Sequence, residues 1–316
     1  RSTQAKTLFP YTTLFRSHTT TMGIDSRLPI PTTRGWLPAG MIKAGDEVFT
    51  YQGKPTRVTL AQQYTPQQCY KLWLKDGLTL VVDNKTGIPA YTRSTMKSLR
   101  AWDKHRSHPR RNATVSPQSP ERIMTFEAGR CRVPVAQPLR PDPLPLIVDP
   151  YTFGAWLMTA ESVSERQTEI TRELVERFGR IPKDIPEEYL LASFQQRVQL
   201  LRGILSKRPR AFDPTRTQFG IGTNDVVLAR QIQNLVESLS SRTSIRFNKR
   251  HGTYRVMFRS FLNLVPGQLP PKNSLEMEYR QITKVALADP RECTYIKTED
   301  PDNTIVVSEG FLTVSL

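Results

Sequence analysis

The sequence predicts an α+β chain in which an all-β domain is split by a mixed α/β insertion. Three observations carry this. Short apolar alternations broken by turn pairs run from Ile30 to Thr92, a helical period takes over beyond Pro150, and strand texture returns after Pro271. A length of 316 residues leaves room for two domains of about 150 residues each.

In the first β-region, Asp76-Gly77 separates Tyr70-Lys-Leu-Trp-Leu74 from Leu78-Thr-Leu-Val-Val82, a strong hairpin pattern. Arg34-Gly35 and Gln52-Gly53-Lys54-Pro55 mark earlier turns. Residues 93–122 are basic and polar, with Lys97, Arg100, Lys104, Arg106, Arg110 and Arg111 around Trp102. Prolines at 134, 138, 141, 143, 145 and 150 then mark a boundary. Tyr151 to Glu161 reads as an apolar helix, and Glu169 to Phe178 places Ile170, Leu174 and Phe178 on one face before Gly179. Pro186-Glu-Glu-Tyr-Leu-Leu opens a further helix with acids in its first turn. After Pro209 come a strand (Thr217 to Thr223), a helix started by Asn224 with Leu228, Ile232, Leu235, Val236 and Leu239 on one face, and a hairpin. That hairpin runs Ser244 to Lys249 and Thr253 to Arg259, turned at His251-Gly252. Past the Pro266 to Pro271 linker, Arg280 to Val285, Cys293 to Lys297 and Thr304 to Val307 read as strands. The resulting division is a leader at 1–21, a β-domain at 22–148 and 273–316, and the insertion at 149–272.

Composition narrows the function classes. Lys and Arg total 45 against 29 acids, a net charge of +16 spread along the chain, which suits a polyanionic partner. Cys69, Cys131 and Cys293 form no CxxC pair, and His18, His105, His108 and His251 lack metal-site spacing, so a zinc module and a disulfide scaffold drop out. The longest apolar runs, Leu144 to Val148 and Ile305 to Val307, fall far short of the roughly 20 residues that span a bilayer. The chain is expected to be a cytoplasmic monomer. Thr7-Leu-Phe-Pro-Tyr-Thr-Thr-Leu-Phe-Arg-Ser17 looks like a translated sequencing-library adapter from an environmental contig, so it is set aside before fold reasoning.

The segment from Leu28-Pro-Ile-Pro-Thr-Thr-Arg-Gly-Trp-Leu-Pro to Ala44-Gly-Asp-Glu-Val-Phe49 resembles the opening of intein-type Hint domains. Cys293 to Leu316 resembles their closing strands. Between them, Asp149-Pro-Tyr-Thr-Phe-Gly-Ala-Trp-Leu157 and Ile185-Pro-Glu-Glu-Tyr-Leu-Leu to Arg202-Gly-Ile-Leu205 resemble the two motif helices of a LAGLIDADG homing endonuclease. The resemblance covers about residues 24–316 and implies a Hint β-horseshoe holding a LAGLIDADG-like insertion. It also implies a microbial or phage host protein of DNA metabolism.

Splicing in that family requires a Cys or Ser at the first residue, a histidine in the second conserved block, and a terminal His-Asn pair. A thiol or hydroxyl attacks the amide, a proton donor helps the nitrogen leave, and a carboxamide is the second nucleophile. In the family register these positions fall on or beside Gly23 (after Met22), near Thr86, and on Val314 and Ser315. All have lost the needed groups. Ser26 is the nearest hydroxyl, and Ser26 and Ser315 both read as surface serines.

The nuclease family places one acid at the foot of each motif helix to hold divalent metal for phosphodiester cleavage. With Gly154 matched to Gly203, those positions become Thr159 and Arg208, and the arginine opposes metal binding directly. No cofactor is therefore expected. Mg2+ enters only in the alternative of an active endonuclease that uses the displaced acids Glu161 and Asp213. The spacing between the motifs leaves the first repeat without its DNA-facing ribbon, while the second keeps one. There Ile245 and Phe247 share a core face with Tyr254, Val256 and Phe258. Arg246, Asn248, Arg255 and Arg259 point away, with Arg216, Gln218, Lys249 and Arg250 nearby. This basic surface suits double-stranded DNA, and it equally suits a solvated sheet face. The expected function is a degenerate intein-like element without splicing or cleavage but with residual non-specific DNA binding. The alternative, besides the active endonuclease, is a DNA- or protein-binding structural module of a phage protein.

Overall fold

The computed structural model describes residues 22–91, 117–126, 131–159, 165–207, 212–213, 218–268 and 279–316. The leader with its adapter-like 7–17 segment, the 97–111 basic cluster with Trp102, Glu161, Arg208 and Arg216 lie outside the described residues. The chain is mixed α/β with one large antiparallel sheet.

That sheet is built from both ends of the chain. The early strands are β1 (Ile24–Asp25), β2 (Pro29–Thr32), β3 (Gly35–Pro38), β4 (Glu47–Phe49), β5 (Pro55–Tyr64), β6 (Cys69–Leu74), β7 (Thr79–Asp83) and, after helix α1 (Pro120–Thr125), β8 (Arg132–Pro134). The late strands are β13 (Tyr279–Ala288) and β14 (Cys293–Thr298). The order β3-β2-β4-β5-β14-β1-β7-β6-β13-β8 puts β14 between β5 and β1, and β13 between β6 and β8. Both late strands are thus interior members of the sheet. β6 and β7 close at Asp76-Gly77, where Gly77 takes φ +89°, a left-handed value that the absent Cβ permits. A separate pair, β15 (Thr304–Val307) and β16 (Leu312–Ser315), packs into the same core through Ile305, Val307, Leu312 and Val314.

The middle of the chain has its own core. Helices α2 (Pro150–Leu157), α3 (Glu165–Phe178), α4 (Glu187–Leu191), α5 (Phe194–Ser206) and α6 (Val226–Ser238) surround a sheet ordered β11-β12-β10-β9. Its strands are β9 (Phe212–Asp213), β10 (Gln218–Thr223), β11 (Thr243–Asn248) and β12 (Thr253–Phe258). Leu228, Ile232, Leu235, Val236 and Leu239 are all buried, as the periodicity predicts. The N-cap is Asp225, whose carboxylate accepts from the Val227 N–H at 2.7 Å, and not Asn224. The second motif segment, expected as one helix, is two. Ala192 is extended at ψ 166°, and Ser193 restarts the chain as N-cap with a capping box to Gln196.

Two buried arginines stitch the cores. Arg197, 1% exposed, donates from Nε to the Ala192 carbonyl at 2.9 Å and from its terminal nitrogens to the Ser238 and Leu139 carbonyls. That fixes the proline-rich segment before α2 against α6. Arg280 on β13 pairs with Glu237 of α6 at 2.9 Å and with Asp76 of the β6–β7 turn, and donates to the Gly310 carbonyl at 3.1 Å. Neither hub was foreseen from sequence.

Candidate functional site

The positions expected to carry splicing chemistry meet in space. Gly23 precedes β1, Thr86 follows β7, and Ser315 ends β16. The Gly23 carbonyl accepts from the Thr86 hydroxyl at 2.7 Å and from the Asp83 N–H at 2.9 Å. Gly87 and Ser315 exchange two backbone hydrogen bonds at 2.9 and 2.8 Å. Asp83, 1% exposed, organises the turn: its Oδ1 accepts from the N–H groups of Lys85 and Thr86, and its Oδ2 accepts from the Tyr64 hydroxyl. An Asp two and three residues ahead of accepted N–H groups is the usual Asx-turn device.

Residue 23 carries no side chain, and the space beside it is occupied. A Cβ on residue 23 would lie 2.6 Å from the Tyr64 hydroxyl and 2.9 Å from its ring, so Tyr64 fills the volume a nucleophilic side chain would need. Thr86, expected where the resembled family has its block histidine, turns its hydroxyl to the Gly23 carbonyl at 2.7 Å and to Asp83 Oδ1 at 2.8 Å. Val314 is fully buried and apolar. Ser26 is not the surface serine expected. It is 7% exposed, and its hydroxyl sits 2.9 Å from that of Thr294, because β1 is enclosed between β7 and β14. Ser315 is half-buried.

Beside this site Asp25 is held by Arg27 Nη2 at 2.9 Å and Arg291 Nη1 at 3.3 Å. Burial alone would raise its carboxyl, but the hydrogen bonds from Arg27 and Arg291 outweigh it and hold it below the ordinary value.

The second region is the helix pair. Gly154 of α2 and Gly203 of α5 face each other so closely that a Cβ on Gly203 would be 2.0 Å from the Tyr151 carbonyl oxygen, and one on Gly154 would be 2.3 Å from that of Leu200. At the foot of α2 the Thr159 hydroxyl turns back on the Ala155 and Trp156 carbonyls at 3.1 Å each. Among the described residues no group of three or more His, Cys, Asp or Glu stands where a metal ion would bind. Asp213 lies on β9 opposite Gln218. Glu161 and Arg208, the other groups expected at this helix foot, lie outside the described residues.

The third region is the outer face of the smaller sheet. Arg246 and Arg255 are directly opposite on β11 and β12, and both are exposed, as are Asn248, Lys249 and Arg250. Gln218 and Arg259 are half-buried. Arg255 lies across Gly220 of β10, where a Cβ would be 2.6 Å from its Nε. Phe247, expected in the core, is 52% exposed and meets Tyr254 in a tilted ring contact at 4.8 Å, because the far half of β11 is uncovered.

A match of 29% identity over 260 residues links the chain to the replicative DNA helicase DnaB of Mycobacterium intracellulare, covering 70% of this chain and 42% of that protein. The chain thus spans less than half the length of that relative. Its structural neighbours are inteins. They include the gp41-1 intein, at TM-score 0.36 and 9% identity over 93% of this chain and 98% of that one. The MchDnaB-1 intein has TM-score 0.34 and 11% identity over 93% and 99%. No family model matches. Among the described residues, no helix is long and apolar enough to cross a membrane.

Sequence reasoning missed Tyr64, Asp83 and the facing thiols of Cys69 and Cys293, which are 4.0 Å apart. Only Asp83 left a local signal, the Asp-x-x-Thr spacing that favours an Asx turn.

Proposed function

We propose that the chain is an intein-type element, derived from one lodged in a DnaB-type replicative helicase, that keeps its fold and has lost both splicing and strand cleavage. One observation carries this reading: the Tyr64 phenol stands where a side chain on residue 23 would begin. The hydroxyl of Thr86 and the backbone of Ser315 complete a site without a nucleophile, a base or a cyclising carboxamide. The likeness to a replicative helicase supports the host class. The test places residues 22–316 between two reporter domains. Only the intact precursor is expected after prolonged incubation; ligated reporters, or released flanks, overturn the reading.

The opposed Arg246 and Arg255 favour a second, compatible property, weak binding of double-stranded DNA through phosphate contacts. Retardation should fall steeply with salt, and Arg246→Ala or Arg255→Ala should lower the log–log salt slope by about 1. An unchanged slope would make this a solvated sheet face. No nicking is expected with Mg2+ or Mn2+, and nicking abolished by Glu161→Gln or Asp213→Asn would restore the endonuclease alternative.

A further inference from the structure

We infer that Cys69 and Cys293 form a dithiol site that a hydroperoxide converts into a disulfide across the large sheet. The two sulfurs are 4.0 Å apart, and both residues are 0% exposed. Their placement follows from the topology. Cys69 is the first residue of β6 and Cys293 the first of β14, each reached after a short connection from the preceding long strand. Cys293 pairs with Tyr64 of β5, and Cys69 with Ala288 of β13, so the thiols meet where the β5–β14 and β6–β13 ribbons diverge. Val81 closes the pocket around them. Cys131 belongs to a different cluster, near Ile123 and Val133.

Bond formation needs an S–S distance of about 2.05 Å, and a rotamer change at one Cβ moves a sulfur by more than the remaining gap. Burial, followed by the neighbouring Cys69, pushes the Cys293 thiol up, which suits Cys293 to the proton-bearing, resolving part. The Cys69 sulfur attacks one oxygen of hydrogen peroxide, the O–O bond breaks, and the sulfur becomes a sulfenic acid as the thiol proton joins the departing hydroxide to leave as water. The Cys293 sulfur then attacks that sulfur, its proton and the hydroxyl leave as a second water, and the disulfide forms. Two thiols are oxidised and one peroxide is reduced. Neither sulfur reaches the surface, so the oxidant class is a small peroxide and not a bulky disulfide.

The bond would join strands on either side of β1 and β7. Because Cys69 pairs with Asp83 and Cys293 with Asp25, it would pin the floor beneath Gly23 and Thr86. The test treats the full folded chain with hydrogen peroxide, alkylates free thiols and maps peptides by mass. The expected result is a peptide joining Cys69 to Cys293 with loss of two hydrogens, Cys131 alkylated, and a Tm rise on the order of 5 °C that dithiothreitol reverses. Cys131→Ser should leave the cross-link intact, and Cys69→Ser should abolish it. Cys69 and Cys293 both alkylated after treatment, or a sulfinic acid at either without a cross-link, overturns the inference. The wild-type peptide map decides it even where a variant fails to fold.

Discussion

Asp25 shows how one carboxylate near the junction adds stability. Its two oxygens are engaged by Arg27 and Arg291, and these bonds are charge-assisted only while it is ionised. Its folded pKa lies below the unfolded value of about 3.9, so its contribution is fully present above that pH and is lost as pH falls through the folded value. Asp25→Asn should therefore cost about 1 kcal/mol at neutral pH, a modest figure because Arg27 is 74% exposed and screened. The wild-type and variant urea curves should converge in acid, and a gap that persists there would show that the effect is steric. At Gly23, substitution by Cys should not restore acyl transfer but should lower stability by about 2 kcal/mol, since the Tyr64 ring must move. Pairing it with Tyr64→Ala should return part of that loss in the same denaturation assay. That residue 23 is a glycine is read directly from the sequence. That Tyr64 covers it is not, because a tyrosine at the end of an edge-like alternation carries no mark of what it will cover.

At the scale of elements, the α2–α5 contact depends on two missing methyl groups. Gly203→Ala would drive a Cβ into the Tyr151 carbonyl and should cost about 3 kcal/mol by chemical denaturation. A cost under about 0.5 kcal/mol would mean that the helices slide apart freely. Ser193→Ala removes the capping box of α5 and should cost about 1 kcal/mol in the same measurement. Elements with a local signature were readable in advance: Asp76-Gly77 for β6–β7, the apolar stripe of α6, and the alternation of β11 and β12. The break between α4 and α5 was not. Ala192 is a helix former, and Ser193 announces a cap only once the chain before it is known to be extended.

The whole molecule is coupled through Arg280. Its guanidinium, 2% exposed, and the Glu237 carboxylate, 3% exposed, join the large sheet to α6, and removing Glu237 leaves the buried guanidinium Asp76 as its counter-charge. Glu237→Ala should cost about 3 kcal/mol and split one calorimetric transition into two, whereas Arg280→Met with Glu237→Leu should recover part of the loss. A single transition unchanged by Glu237→Ala would show that the two cores are coupled elsewhere. Alternation alone could not mark Arg280 as interior, since its partners are distant in sequence, and the same holds for which strands neighbour one another.

The sheet order also sets a timetable for folding. Ile24 pairs with Thr294, and β5 pairs with β14, so β1 and β5 each lack one neighbour until residues 293–298 have been made. The apolar core built from Val148 to Leu264 draws its side chains from that span and can collapse first during synthesis, with Glu237 still awaiting Arg280. Until β13 and β14 emerge, β5 and β6 present open edges, and a ribosome that stalls before Tyr279 is made leaves a product prone to aggregation.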